Sequence, residues 1–167
     1  AHADGGVRAA LVAALAGAAG IDGMAGGQML DLEAETRPMV LDEVRQMQAM
    51  KTGALIQFAA VAGGIHGQAD KAMQAALERY SRDLGLAFQI ADDLLDYDSD
   101  SATLGKPAGQ DADRGKASFV VLMGLEPARK AASDLITGAE AALDPWAVGA
   151  VADQTAALVS IARFAIE

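Results

Sequence analysis

The sequence predicts an all-α protein, a single domain of about seven helices joined by short turns. Three observations predict it. No stretch alternates apolar and polar residues at the two-residue period of a strand, and no internal repeat is evident. Apolar residues make up 52% of the 167 and aromatics only 4%, so Ala and Leu, both good helix formers, carry much of the hydrocarbon. Apolar residues also recur three and four positions apart along the chain. This length suffices for a core of its own.

Taken in order, residues near 5 to 19 form an Ala-rich helix with Val7, Leu11, Leu15 and Ala18 as its stripe. Gly20 ends it, and Asp22 is placed to cap the next segment. That segment, Ile21 to Glu33, carries Gly23, Gly26 and Gly27. Glycine is costly inside a helix, so these mark a kink or a close backbone approach. Gln28 and Asp31 share a face at i, i+3, either as a surface pair or as the lining of a cavity. Thr36-Arg37-Pro38 is a linker. Residues near 41 to 63 form one helix with Leu41, Val44, Met47, Leu55 and Phe58 on its apolar side. Lys51-Thr52-Gly53 interrupts it; Lys51 is either a snorkelling surface residue or a cavity lysine.

Gly63-Gly64-Ile65-His66-Gly67 reads as a turn, and a long helix follows, roughly 70 to 97. Ser99 to Gly115 reads as a loop, long enough to be functional. It holds Lys106, and Lys116 follows it; each comes directly after a glycine. Residues near 117 to 124 and 127 to 142 form two helices, with Pro127 in a first turn, and a last helix runs from about Pro145 to the end.

The long helix closes on Phe88-Gln89-Ile90-Ala91-Asp92-Asp93-Leu94-Leu95-Asp96-Tyr97-Asp98. At about 100° per residue, Gln89, Asp92, Asp93 and Asp96 fall within an arc of roughly 100°, while Ile90, Leu94 and Leu95 point into hydrocarbon. A helix that is greasy on most sides is mostly buried, so the acidic stripe is expected to face a cavity. Carboxylates on one stripe repel, and at a helix C-terminus they oppose the dipole; both effects call for a cation. All-oxygen ligands suit magnesium, which takes one or two carboxylates together with substrate phosphates. A solvated acidic face is the plainer alternative. Asp98 and Asp100 read as turn residues.

Composition excludes several classes. Lys and Arg number 13 against 23 Asp and Glu, a formal charge of −10, which argues against general nucleic-acid binding. There is no cysteine, hence no disulfide and no thiolate metal site. His2 and His66 have no partner at metal spacing and read as surface residues. The apolar run Ala9 to Ile21 is too short to span a bilayer and has no signal-peptide order, so a cytoplasmic protein without stable membrane insertion is expected. The chain opens at Ala1 without an initiator Met and stops at Glu167 in helical register, so both ends look cut.

The chain resembles the C-terminal half of a short-chain trans-polyprenyl diphosphate synthase of the bacterial farnesyl diphosphate synthase (geranyltranstransferase) type. The matching stretches are Gly23-Met24-Ala25-Gly26-Gly27-Gln28 with Asp31, then Lys51-Thr52-Gly53-Ala54-Leu55, then Gly85 to Asp96. Leu104-Gly105-Lys106 with Gly109 and Asp111, and Gly115-Lys116, follow. They cover nearly the whole chain in order. The resemblance implies a helical bundle of the isoprenoid synthase type. It implies a transferase that condenses an allylic diphosphate (dimethylallyl or geranyl) with isopentenyl diphosphate, by magnesium-assisted ionisation, to a short-chain product, farnesyl as the leading expectation. It also implies a homodimer.

Position by position, it implies that Asp92, Asp93 and Asp96 hold Mg2+, Asp92 most directly. Lys51 and Lys106 bind the allylic diphosphate, and Lys116 assists. Thr52, Gln89 and the Lys51 carbonyl place oxygen dipoles against the developing cation, and Gln28 and Asp31 line the cavity. Ala117-Ser118-Phe119-Val120 departs from the family's Thr-Tyr-Pro-like stretch. The family's first aspartate-rich motif, its isopentenyl-binding basic residues and its basic C-terminal tail are not in these residues, so the fragment alone is expected to be inactive. Three other readings stay open: another all-α terpenoid enzyme, a non-catalytic subunit of a prenyl synthase, and a helical binding module with a calcium or magnesium site and no chemistry.

Overall fold

The computed structural model describes residues 2–104 and 117–167. Among them are eight α-helices and no strand, so the all-α expectation holds. They are α1 (Gly5–Ala19), α2 (Met24–Ala34), α3 (Leu41–Gln48), α4 (Ala54–His66), α5 (Lys71–Leu104), α6 (Phe119–Met123), α7 (Leu125–Leu143) and α8 (Ala152–Phe164).

The long helix α5 is the axis of the bundle, and two clusters of buried side chains share it. Toward its C-terminal end, Ile90 and Leu94 pack with Val44 and Met47 of α3, Phe119 of α6 and Ala132 of α7. Toward its start, Leu77, Tyr80 and Leu84 pack with Ile136 and Leu143 of α7 and Ala162 of α8. The Tyr80 hydroxyl donates to the Leu158 carbonyl at 2.8 Å, tying α5 to α8. Burial pushes that phenol up to about 12, because the phenolate would lose its water.

Several boundaries differ from expectation, each for a packing reason. The helix expected over 41–63 is broken by a π-helical turn, Ala49–Gly53, between α3 and α4. Two neighbours crowd that turn. A Cβ on Gly27 of α2 would lie 2.2 Å from the Lys51 nitrogen, and one on Gly85 of α5 would lie 3.2 Å from the Gly53 Cα. The glycines of Gly63–Gly67 do not start a turn, because α4 runs on to His66. Gly64 instead admits α5: a Cβ there would sit 2.9 Å from Leu77 Cδ1. The chain reverses at Gly67 and Gln68, and Gln68 takes φ 51°.

Asp22 is not the cap of α2. Gly23 holds that position without a side-chain hydrogen bond. The helix expected to stop near 97 continues to Leu104, which puts Asp98 on a helix rather than in a turn. Arg129 of α7 holds it there, its Nη2 donating to both Asp98 oxygens at 2.8 and 3.2 Å. The last helix begins later than Pro145, after short 3-10 turns at Asp144–Trp146 and Gly149–Val151.

Burial also departs from the stripes read in sequence. Leu15 of α1 is 45% exposed and Leu95 of α5 61%. Leu95 borders an open groove shared with Ile161 and Phe164 of α8 rather than a closed core.

Candidate functional site

Two structural features carry the residues singled out in sequence. The first is the α2–π-turn contact. Because Gly26 and Gly27 are buried without side chains, the α2 backbone lies directly on Met50 and Lys51. One turn after Gly27, Asp31 reaches the same place, and Lys51 Nζ donates to Asp31 Oδ2 at 2.6 Å. Both side chains are largely covered, 29% exposed for Lys51 and 12% for Asp31. Lys51 is therefore a paired lysine inside the fold, not a snorkelling surface residue. Thr52 follows it, half-buried, while Gln28 is exposed on α2.

The second feature is the last part of α5. Gly85 abuts Gly53 of the π turn, so Gln89 and Asp92 stand about 6 and 10 Å further along the helix axis. Gln89 is buried, 7% exposed. Asp92 and Asp96, one turn apart, are exposed, and Asp93 is half-buried. Among the described residues nothing closes over Asp92 and Asp96. Asp93 turns the other way, and its Oδ2 accepts from the Phe119 amide at 2.6 Å.

Lys106 and Lys116 lie outside the described residues, together with Gly105, Gly109, Asp111 and Gly115. The structure thus brings Lys51 and Asp31 into contact and sets Thr52, Gln89 and the acidic turn at one end of the α4–α5 pair. No group of three His, Cys, Asp or Glu converges among the described residues. Two exposed carboxylates at i, i+4 fit a hard cation that takes its remaining ligands from phosphate and water, which is the magnesium pattern.

Beside the stripe runs an apolar groove of about 910 Å³. Ile56 and Ala60 of α4, Leu84, Phe88 and Leu95 of α5, and Ile161 and Phe164 of α8 line it, with Asp98 and Arg129 in its wall. Phe88 and Leu95 sit within about 60° of Asp92 around the helix, so an acidic face and an apolar trough share one edge. The groove, the Asp98–Arg129 pair and the Asp93–Phe119 bond were not legible in the sequence. Each joins residues far apart in the chain with no local spacing to announce it. The two histidines, unpaired in sequence, meet edge to face with ring centroids 5.0 Å apart.

Comparison with known proteins agrees with this arrangement. The family model for polyprenyl synthetase matches residues 9–145. The farnesyl diphosphate synthase of Escherichia coli (strain K12) is 44% identical over 162 residues, covering 96% of this chain and 53% of the relative. Among solved structures, an FPP/GFPP synthase from Zymomonas mobilis superposes with a TM-score of 0.81 at 44% identity, over 98% of this chain and 52% of that one. A geranyltransferase from Helicobacter pylori, solved with magnesium and isoprenyl diphosphate, superposes with a TM-score of 0.73 at 29% identity, over 98% of this chain and 52% of that one. The chain spans about half the length of the curated relatives it matches. With the helical bundle, the glycine-bedded Lys51 and the acidic turn of α5 all in place, this chain belongs to the polyprenyl synthetase family.

Proposed function

We propose that these residues form the C-terminal half, and one active-site wall, of a short-chain prenyltransferase. It joins an allylic diphosphate, dimethylallyl or geranyl, to isopentenyl diphosphate and releases pyrophosphate; the product is farnesyl diphosphate. The observation that carries this reading is the placement of Lys51 and the Asp92–Asp96 turn at one end of α4 and α5, beside a long apolar groove. A prenyl diphosphate has that form, an anionic head on a hydrocarbon tail. The relatives' names as farnesyl diphosphate synthases and the magnesium and isoprenyl diphosphate of the Helicobacter pylori protein support the substrate class.

In this reading Asp92 and Asp96 hold Mg2+, with Asp93 beside them. The metal, when bound, neutralises the diphosphate and makes it a better leaving group. Lys51 meets the same diphosphate as a compact cation, and Lys106 and Lys116 add to it. Asp31 pairs with Lys51 until the diphosphate shares it, which keeps a covered ammonium from standing unpaired. The Lys51 carbonyl, Thr52 and Gln89 turn oxygen dipoles toward the allylic cation as the C1–O bond breaks. Gln28 and Asp31 complete the wall. The groove takes the hydrocarbon and keeps water from the cation.

The partner is a second copy of the chain. Val12 and Leu15 on α1, Ile21 in the connection after it, and Met29 and Leu32 on α2 are all at least 45% exposed, an apolar face suited to a helix-on-helix dimer. Gly5–Ala34 is apolar enough for a membrane span by composition, but the chain turns between α1 and α2. A cytoplasmic homodimer fits these features.

The test is product analysis in a synthase carrying this chain as its C-terminal half, supplied with geranyl diphosphate and Mg2+. Farnesyl diphosphate formed only when isopentenyl diphosphate is added supports elongation. A cyclised or unelongated product overturns it, and the 167 residues alone are expected to turn over neither substrate.

A further inference from the structure

We propose that Asp93 is a positioning residue rather than a magnesium ligand: its carboxylate clasps the start of α6 to the acidic turn of α5, leaving Asp92 and Asp96 to the metal. The inference rests on the magnesium reading above and sharpens which carboxylates serve it.

The geometry separates the three aspartates. Asp92 and Asp96 are exposed and lie about 40° apart around the helix, whereas Asp93 is half-buried and about 60° further round, toward α6. Its Oδ2 accepts from the Phe119 amide at 2.6 Å. Phe119 is the first residue of α6, and the first amides of any helix have no partner within it. Ser118 Oγ takes the Val121 amide at 3.2 Å, so Asp93 and Ser118 each take one of these donors. The Phe119 ring is 0% exposed and packs in one cluster with Ile90 and Leu94, which flank Asp93 on α5. One residue thus grips the same stretch of α5 twice, by its ring and by its amide.

Electrostatics point the same way. Three carboxylates on one helical arc repel, and a magnesium site typically uses one or two of them with phosphate oxygens. The third is stabilised by a fixed N–H dipole, at no cost in metal ligands. Its role is to hold the rotation of the turn, so that Asp92 and Asp96 keep their direction.

The test uses Asp92→Asn, Asp93→Asn and Asp93→Ala in the complete synthase. The readouts are kcat and the magnesium concentration for half-maximal turnover. Asp93→Asn keeps an acceptor oxygen but not the charge. It should lose clearly less kcat than Asp93→Ala and leave the magnesium requirement within about threefold, because a charge outside the ligand set is screened. Asp93→Ala should lower kcat about tenfold, the worth of one charge-assisted hydrogen bond. Asp92→Asn should raise the magnesium requirement at least about tenfold. The clasp is overturned if Asp93→Asn raises the requirement as much as Asp92→Asn, or if both Asp93 variants match the parent. A silent Asp92→Asn instead sinks the magnesium reading. The clasp is then judged by hydrogen exchange at the Phe119 amide: slow in the unaltered chain and in Asp93→Asn supports it, unprotected in the unaltered chain overturns it. That last measurement also decides if Asp93→Ala fails to fold.

Discussion

In the proposed reading Lys51 has to meet two demands: an ammonium must be available to an anionic substrate, and it must not stand uncompensated inside the fold. The Asp31 carboxylate at 2.6 Å meets the second. Removing one partner of a covered pair strands the other, so Asp31→Ala should destabilise the chain by about 3 kcal/mol in chemical denaturation, more than Asp31→Asn. The aspartates of α5 differ in the same concrete way. Asp98 is paired with Arg129 and off the shared face. Asp92→Ala should therefore lower turnover of the complete synthase by at least about a hundredfold, and Asp98→Ala by far less; equal losses would remove the stripe from the chemistry. Tyr80 makes a third point. Its hydroxyl bonds the Leu158 carbonyl, and burial raises its folded pKa to about 12. A group raised above its unfolded value contributes stability that is complete below about pH 10 and lost as pH climbs toward 12. Tyr80→Phe should cost about 1 kcal/mol near neutrality and flatten that alkaline loss in thermal melts.

Among the elements, α2 and the π turn act as one part. Gly27 lets the α2 backbone touch Lys51, and π turns inside helices often mark functional positions. Gly27→Ala would place a Cβ 2.2 Å from the Lys51 nitrogen, against backbone that cannot yield cheaply. It should cost about 3 kcal/mol in denaturant unfolding and weaken diphosphate binding by moving Lys51. At the other end, Arg163 of α8 grips Glu140 of α7, with Nε at 2.7 Å from Oε1. That hydrogen bond holds the Glu140 carboxyl below its usual value. The contribution is therefore present above the unfolded carboxylate range and lost as pH falls through the lowered pKa. Glu140→Gln should lower Tm slightly at pH 7 and leave it unchanged in strong acid, where the parent has lost the same bond.

At the scale of the whole molecule, the described residues form a bundle built on one long helix, with the acidic turn and the apolar groove on open faces and the glycine-bedded Lys51 largely covered. Phe88, Leu95, Ile161 and Phe164 are 42% exposed or more, and all four line the groove. Substituting Phe164, at 77% exposure, with Glu should leave the unfolding midpoint nearly unchanged but lower affinity for long allylic diphosphates more than for dimethylallyl diphosphate. Isothermal titration across the two chain lengths reads the difference. Equal losses for both would separate the groove from the hydrocarbon tail.

Helix content, the Gln89–Asp96 stripe and the glycine pattern ahead of Gln28 were determined by the sequence alone, because periodicity and glycine cost act over one or two turns. Local rules of the same kind mistook Gly63–Gly67 for a turn, since a glycine admitting a neighbouring helix looks identical in sequence to one reversing the chain. The tertiary structure decided how differently the three carboxylates are surrounded. Asp92, Asp93 and Asp96 are equivalent by spacing. Only the arrival of Phe119, 26 residues beyond Asp93, gives one of them an amide to hold and leaves the other two in the open. A contact between distant segments depends on how whole helices pack, and no short window of residues contains that information.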